Sequence, residues 1–182
     1  SGALMPNLGL YDRKPTMENL KKFTGTEIYN YLAQVVRGSI KTALKVQYVD
    51  KILETGSEKT VNEILSENDE TGKMEELVRE LGIEHILVQS LKNISGGELQ
   101  KVAIASAILK DAEVFFFDEP SSYLDIEERL RVARIIRKLS EQKQVVLVEH
   151  DLAVLDYLAD QVYIIYGSEG AYGAVAQPSA NR

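Results

Sequence analysis

Apolar positions change period along this chain, and the changes mark its elements. From Thr26 to Arg37, Ile28, Tyr31, Leu32, Val35 and Val36 recur at helical spacing. Thr16 to Phe23 reads as a shorter helix ahead of it, with Thr16 and Thr26 as N-caps and Thr24-Gly25 as the break. Lys45 to Val49 reads as short and extended. Val61–Leu65 and Lys73–Leu81 have the pattern of amphipathic helices, the second closed by Gly82. Glu98 to Leu109 is apolar on every side after Val102, which predicts a deeply buried helix. Three apolar runs follow: Val114–Phe117, Val145–Val148 and Val162–Tyr166. Continuous rather than alternating runs suit parallel strands covered on both faces. A charged helix over Ile126–Glu141 lies between the first two, and Leu152–Leu158 between the last two. That order, β-α-β-α-β, predicts an α/β sheet. Residues 1–15, rich in Gly, Pro and Asn, read as a connecting piece.

The 182 residues suit one domain, or one domain with a smaller lobe. A chain of that length buries roughly 70% of its unfolded surface, so it needs no staples. With 45% hydrophobic and 27% charged residues it is neither disordered nor fibrous. It has no cysteine, which excludes disulfides, thiolate zinc, iron–sulfur ligation and Cys nucleophiles within it and fits a reducing compartment. A net charge of −7 argues against non-specific DNA binding by the whole surface. Locally the sign changes. Residues 13–45 carry seven basic residues against two acidic, and residues 54–80 nine acidic against three basic. Such runs are ordinarily solvated faces, and the alternative is that the basic helix pair touches nucleic acid. No apolar run approaches the ~20 residues of a membrane span, and no signal peptide is expected at the N-terminus.

The strongest chemical feature is Phe115-Phe116-Phe117-Asp118-Glu119-Pro120, which delivers two adjacent acids to the C-terminal end of a buried strand. Ligands bind at that edge of open α/β sheets. One carboxylate is suited to hold Mg²⁺ and the next to orient or deprotonate water. The same acids also suit a plain helix N-terminus. Ile94-Ser95-Gly96-Gly97-Glu98-Leu99-Gln100 leads into the buried helix. Ser95 and Glu98 make a capping box. Two glycines in the first turn weaken a helix, and they make sense where something approaches the backbone closely, a phosphate being the natural guest. Val148-Glu149-His150-Asp151 ends the next strand, beside the acids, so His150 is expected to face the same ligand. Ser121-Ser122-Tyr123-Leu124-Asp125 reads as a loop and helix cap. Gln47, in an extended stretch, means nothing alone.

Together, in this order, these five resemble the nucleotide-binding domain of an ATP-binding-cassette (ABC) protein. Gln47 sits at the family's Q-loop. Ser95-Gly96-Gly97-Glu98 looks like the signature motif, Val114–Glu119 like Walker B, Ser122–Asp125 like the D-loop, and His150 like the switch histidine. Ser121–Asp125, Val148–Leu158, the tail Tyr166-Gly167 … Tyr172-Gly173, the opening Met5–Gly9 and Gln47-Tyr48-Val49-Asp50 look closest to the first nucleotide-binding domain of the E-subfamily. Those proteins are the RNase L inhibitors, or ribosome-recycling ATPases, of archaea and eukaryotes.

The resemblance implies an α/β fold: a partial P-loop NTPase domain of parallel strands and helices plus a helical lobe, with the first strands and Walker A absent. It divides the chain into a connecting segment over 1–15, a helix–loop–helix insertion over 16–45, a Q-loop and signature lobe over 46–110, and the C-terminal half of the core over 111–182. It implies ATP and Mg²⁺ as cofactors, Glu119 and His150 as catalytic residues, and Asp118 and Gln47 on the metal. Ser95, Gly96, Gly97, Glu98 and Asp125 would meet nucleotide, completing the site of a second nucleotide-binding domain. Residues 16–40 would contact rRNA of the small ribosomal subunit, in the cytoplasm and with no membrane partner.

One departure is large. The phosphate cradle Gly-x-x-x-x-Gly-Lys-[Ser/Thr] is absent. The only Gly-Lys pair, Gly72-Lys73, is followed by Met74 and lies in an acidic stretch. The family's P-loop would end just before residue 1, so the chain reads as a fragment. It is expected to hydrolyse no ATP alone, to bind it weakly at best, and to self-associate through an exposed sheet edge. Two other readings stand beside this one. One is a cassette of another ABC class, such as a transporter. The other is a non-catalytic RNA- or protein-binding module, which the missing P-loop favours.

Overall fold

The computed structural model of the chain describes residues 18, 20–21, 24–25, 27–45, 58–168 and 172–180. The helix expected over Thr16–Phe23, the stretch Val46–Val49 and Gln47 with it fall mostly or wholly outside these residues. Helix α1 (Glu27–Arg37) precedes strand β1 (Thr42–Lys45). Two short helices follow, α2 (Val61–Asn68) and α3 (Met74–Leu81). Thr60 caps α2 through a capping box with Glu63. Gly82 ends α3 in the left-handed conformation, with φ 66°, that glycine adopts without a Cβ penalty.

Helix α4 (Gly96–Ile108) is the buried element that its all-round apolar pattern predicts, and it begins two residues earlier than that pattern suggests. Strand β2 (Val114–Asp118) leads through a turn to α5 (Ile126–Ser140), then β3 (Gln144–Val148) and α6 (Leu152–Leu158). The three strands form one parallel sheet in the order β1-β2-β3. Lys45 stands opposite Phe117, and Asp118 opposite Val148. Val102 and Ile104 of α4, Phe115 and Phe117 of β2, and Val132 and Ile136 of α5 share one core cluster. Phe115 and Phe117, on one face of the strand, stack with centroids 6.4 Å apart. An ion pair between the buried Lys101 and the partly buried Glu128, at 2.9 Å, ties α4 to α5.

One strand differs from expectation. Val162–Tyr166 does not extend the parallel sheet. Strand β4 (Gln161–Val162) pairs antiparallel with β7 (Ser179–Ala180), and β5 (Ile165–Ser168) pairs antiparallel with β6 (Tyr172–Val175). A hairpin partner a few residues away closes a short loop at small entropic cost, and that local pairing wins over a distant sheet edge. The third parallel strand is instead β1, which a four-residue alternating segment signals only weakly. Among the described residues, β3 has a strand on one side only. Its Val146 and Val148 are half exposed.

Candidate functional site

The C-terminal ends of the three parallel strands gather the site. At the end of β2 the chain turns sharply. Glu119 adopts φ 49°, a left-handed conformation that costs a non-glycine residue about 1 kcal/mol. Its backbone N–H still donates to the Val148 carbonyl at 2.9 Å, so the turn remains attached to β3. Two buried side chains hold the carbonyls of this turn. Lys45 Nζ donates to Asp118 O at 2.7 Å and Glu119 O at 3.2 Å. Gln100 Nε2 donates to Glu119 O at 2.8 Å and Pro120 O at 3.1 Å. Burial lowers the Lys45 ammonium pKa to about 8, against the pull of the Asp118, Glu119 and Glu149 carboxylates.

The Glu119 carboxylate emerges between two further groups. His150 Nε2 lies 3.1 Å from Oε1, and Ser122 Oγ donates to Oε2 at 3.1 Å. His150 is open to solvent while Glu119 is mostly covered. The two residues, 31 positions apart in sequence, are thus brought together as the strand order predicts. Glu149 anchors the same region: its Oε1 accepts from the Ser121 N–H at 2.9 Å, and its Oε2 from the His150 N–H at 3.1 Å. Arg129 adds a brace, donating from Nε to Leu124 O and from a guanidinium nitrogen to Asp151, each at 2.8 Å.

Ser95 and Glu98 do form the capping box. The Glu98 N–H donates to Ser95 Oγ, and Glu98 Oε2 accepts from the Ser95 N–H at 2.7 Å. His85 Nε2 lies 3.1 Å from Glu98 Oε1. The Ser95 N–H, with its hydroxyl and His85 in support, holds the Glu98 carboxyl below the usual carboxylate range. The close approach expected at the glycines is partly internal. A Cβ on Gly97 would sit 3.0 Å from the Tyr123 carbonyl oxygen, so the loop after the acids occupies that space. A Cβ on Gly96 would meet the Tyr123 ring only at 3.9 Å, and Gly96 is exposed. Tyr123 itself has φ 65°. Asp125 caps α5, accepting from the Glu128 N–H at 2.9 Å.

Asp118 ends β2, half buried. No cluster of three or more His, Asp or Glu side chains able to hold a metal by themselves exists among the described residues. One carboxylate fits a Mg²⁺ ion that keeps its waters and shares a nucleotide's phosphates, and fits no self-sufficient metal centre. The sequence motifs do not point to Lys45, Gln100 or Arg129. None of the three carried a local signal, since Lys45 and Gln100 act on a turn 73 and 19 residues away.

Comparison with known proteins bears on this arrangement. The sequence profile described as ABC transporter matches residues 13–122. The chain belongs to the ABC transporter family. Across its full length it is 44% identical to ABC transporter E family member 1 of Arabidopsis thaliana. It is 42% identical to Translation initiation factor RLI1 of Saccharomyces cerevisiae. It spans about 30% of the first of these ABC relatives' length and about 31% of the second's. Among solved structures, the complex of archaeal ribosomal stalk protein aP1 with archaeal ribosome recycling factor aABCE1 contains a chain 47% identical. That match has a TM-score of 0.85 and covers 92% of this ABC chain and 32% of the other. No helix among the described residues is long and apolar enough to cross a membrane.

Proposed function

We propose that this chain is part of an ABC-type ATPase domain whose parent polypeptide binds and hydrolyses ATP to split ribosomal subunits during recycling. The observation that carries the reading is the Glu119–His150 pair at the C-terminal edge of the parallel sheet, beside the Ser95-Gly96-Gly97-Glu98 helix start. The kinship with an archaeal ribosome recycling factor and with translation initiation factors supports the biological half of it.

In this reading the roles divide by position. Asp118 and Gln47 would hold Mg²⁺, which would supply charge neutralisation at the phosphates when bound. Glu119 accepts a proton from the attacking water, at a carboxylate that Ser122 and His150 already aim. His150, exposed at the mouth of the site, meets the phosphate. Gly96, exposed, admits close approach of phosphate oxygens to the N-terminus of α4, while Ser95, Glu98 and Asp125 hold that helix start and the next in shape. These groups complete the nucleotide site of a second ABC domain. Residues 16–40 face small-subunit rRNA in the cytoplasm. Alone, the 182-residue chain does not turn ATP over, because its sequence contains no P-loop lysine and glycines.

Calorimetric titration with Mg²⁺-ATP tests this, comparing the chain with a polypeptide extended to the length of its relatives. The expected result is binding and hydrolysis by the extended form alone, with Glu119→Gln abolishing the hydrolysis and leaving the binding. Tight binding by the 182-residue chain, or normal turnover by Glu119→Gln, sinks it.

A further inference from the structure

We infer that Lys45 and Gln100 act as a two-sided clamp that positions Glu119, holding three successive backbone carbonyls so that the carboxylate meets its water in one orientation. The inference rests on the reading of Glu119 as the hydrolytic base.

The carbonyls of Asp118, Glu119 and Pro120 lie where the chain leaves the β2 ladder, the last paired register being Asp118 with Val148. Strand β1 supplies one donor and helix α4 the other. Lys45 is 2% exposed and Gln100 0%, so neither exchanges its bonds with bulk water. Both contacts of Gln100 Nε2 are to carbonyl oxygens, and only the NH₂ end of an amide can make them. The amide orientation is therefore fixed by chemistry. Its Oε1 is left buried with no hydrogen-bond partner among the described residues.

That orphan is informative. A methionine would fill similar space without a buried unpaired oxygen, so packing does not select glutamine here. Donation to the turn does. The same holds for Lys45, a cation buried at a strand end opposite Phe117. An ammonium is unfavourable there, yet it has donors enough to span two carbonyls. The object held is a left-handed glutamate, a conformation that persists only where its surroundings over-determine it. Gln100 also lies two residues past Glu98 on the helix that Ser95 starts. A shift of that helix start is thereby passed to the acid turn through a single side chain.

Lys45→Met and Gln100→Met test this in the polypeptide extended to its relatives' length, beside Glu119→Gln. The expected result is a kcat about tenfold or more below native for each methionine variant. KM for ATP stays unchanged and each variant remains folded at the assay temperature. A kcat within about twofold of native in both overturns the clamp. So does a kcat loss that appears only with a matching loss of folded protein. If Glu119→Gln hydrolyses normally, the base assignment falls, and the clamp with it. If Glu119→Gln is dead while both methionine variants turn over normally, the clamp alone falls. Should a methionine variant fail to fold, the side-chain amide protons of Gln100 in the native chain decide: slow exchange with solvent supports the clamp, and exchange as fast as that of an exposed glutamine overturns it.

Discussion

His150 Nε2 sits 3.1 Å from Glu119 Oε1, although the histidine is 80% exposed on its side chain and the glutamate 19%. A contact between an open imidazole and a covered carboxylate does little for stability, because water competes for the open partner. It does fix where the carboxylate points. In the extended polypeptide, His150→Ala should lower kcat by roughly 100-fold while leaving the folding free energy within about 0.5 kcal/mol of native. Steady-state hydrolysis and urea unfolding of the same preparation check both halves. A large stability loss with normal turnover would make the pair structural.

The two glycines of the α4 start should answer alanine with opposite signs. At Gly97 the added methyl meets the Tyr123 carbonyl at 3.0 Å. A backbone oxygen cannot rotate aside as a side chain does, so the crowding, about 1–3 kcal/mol, outweighs the ~1 kcal/mol that alanine gains in helix propensity. Gly97→Ala should destabilise the chain. At Gly96 the nearest atom is 3.9 Å away, an ordinary contact, so Gly96→Ala should leave stability unchanged or raise it by up to ~1 kcal/mol. Denaturant midpoints of the two variants decide, and equal shifts would refute the distinction.

Lys45 carries a pH dependence of definite sign. Its pKa is about 8 folded, lowered by burial, against an ordinary 10.5. Between those values the unfolded chain binds the proton and the folded chain does not. Stability therefore rises with pH across that window, by at most ~1.4 kcal/mol per unit from this group. Below about pH 8 both states are protonated and the burial penalty is carried in full. Other lysines and tyrosines titrate in the same range, so the comparison is with Lys45→Met. The native chain should gain stability relative to the variant as pH rises from about 8 to about 10.5. A flat difference would place Lys45 in water.

What the sequence disclosed follows from how local each cause is. The capping box at Ser95 and Glu98, the cap at Asp125, the stop at Gly82 and the buried α4 were legible because a few adjacent residues determine them. The meeting of Glu119 and His150 was legible too, because parallel strand order puts successive strand ends side by side. Lys45 and Gln100 were not. Their role depends on a turn 73 and 19 residues away, and no local spacing reports it. The pairing of Ile165–Ser168 was misjudged for a related reason. An apolar run of that length suits a covered strand and a hairpin strand equally, and only the partner distinguishes them.

The outer side of β3 leads to the last prediction. Val146 and Val148 are 50% and 49% exposed on a strand with one neighbour among the described residues. Beside it runs a groove of about 680 Å³ bordered by Leu155, Leu158, Val162 and Ile165. An unpaired strand edge next to apolar surface is a template for another chain, and charges on such an edge are the usual protection. The 182-residue chain should therefore associate with increasing concentration, and Val146→Lys with Val148→Lys should hold it monomeric. Both substitutions replace half-exposed side chains outside the core cluster, so folding should change by less than about 1 kcal/mol. Sedimentation velocity over a hundredfold concentration range, with circular dichroism as the folding control, checks the pair. A native chain that stays monomeric throughout would show that the hairpin side of the groove already shields the edge.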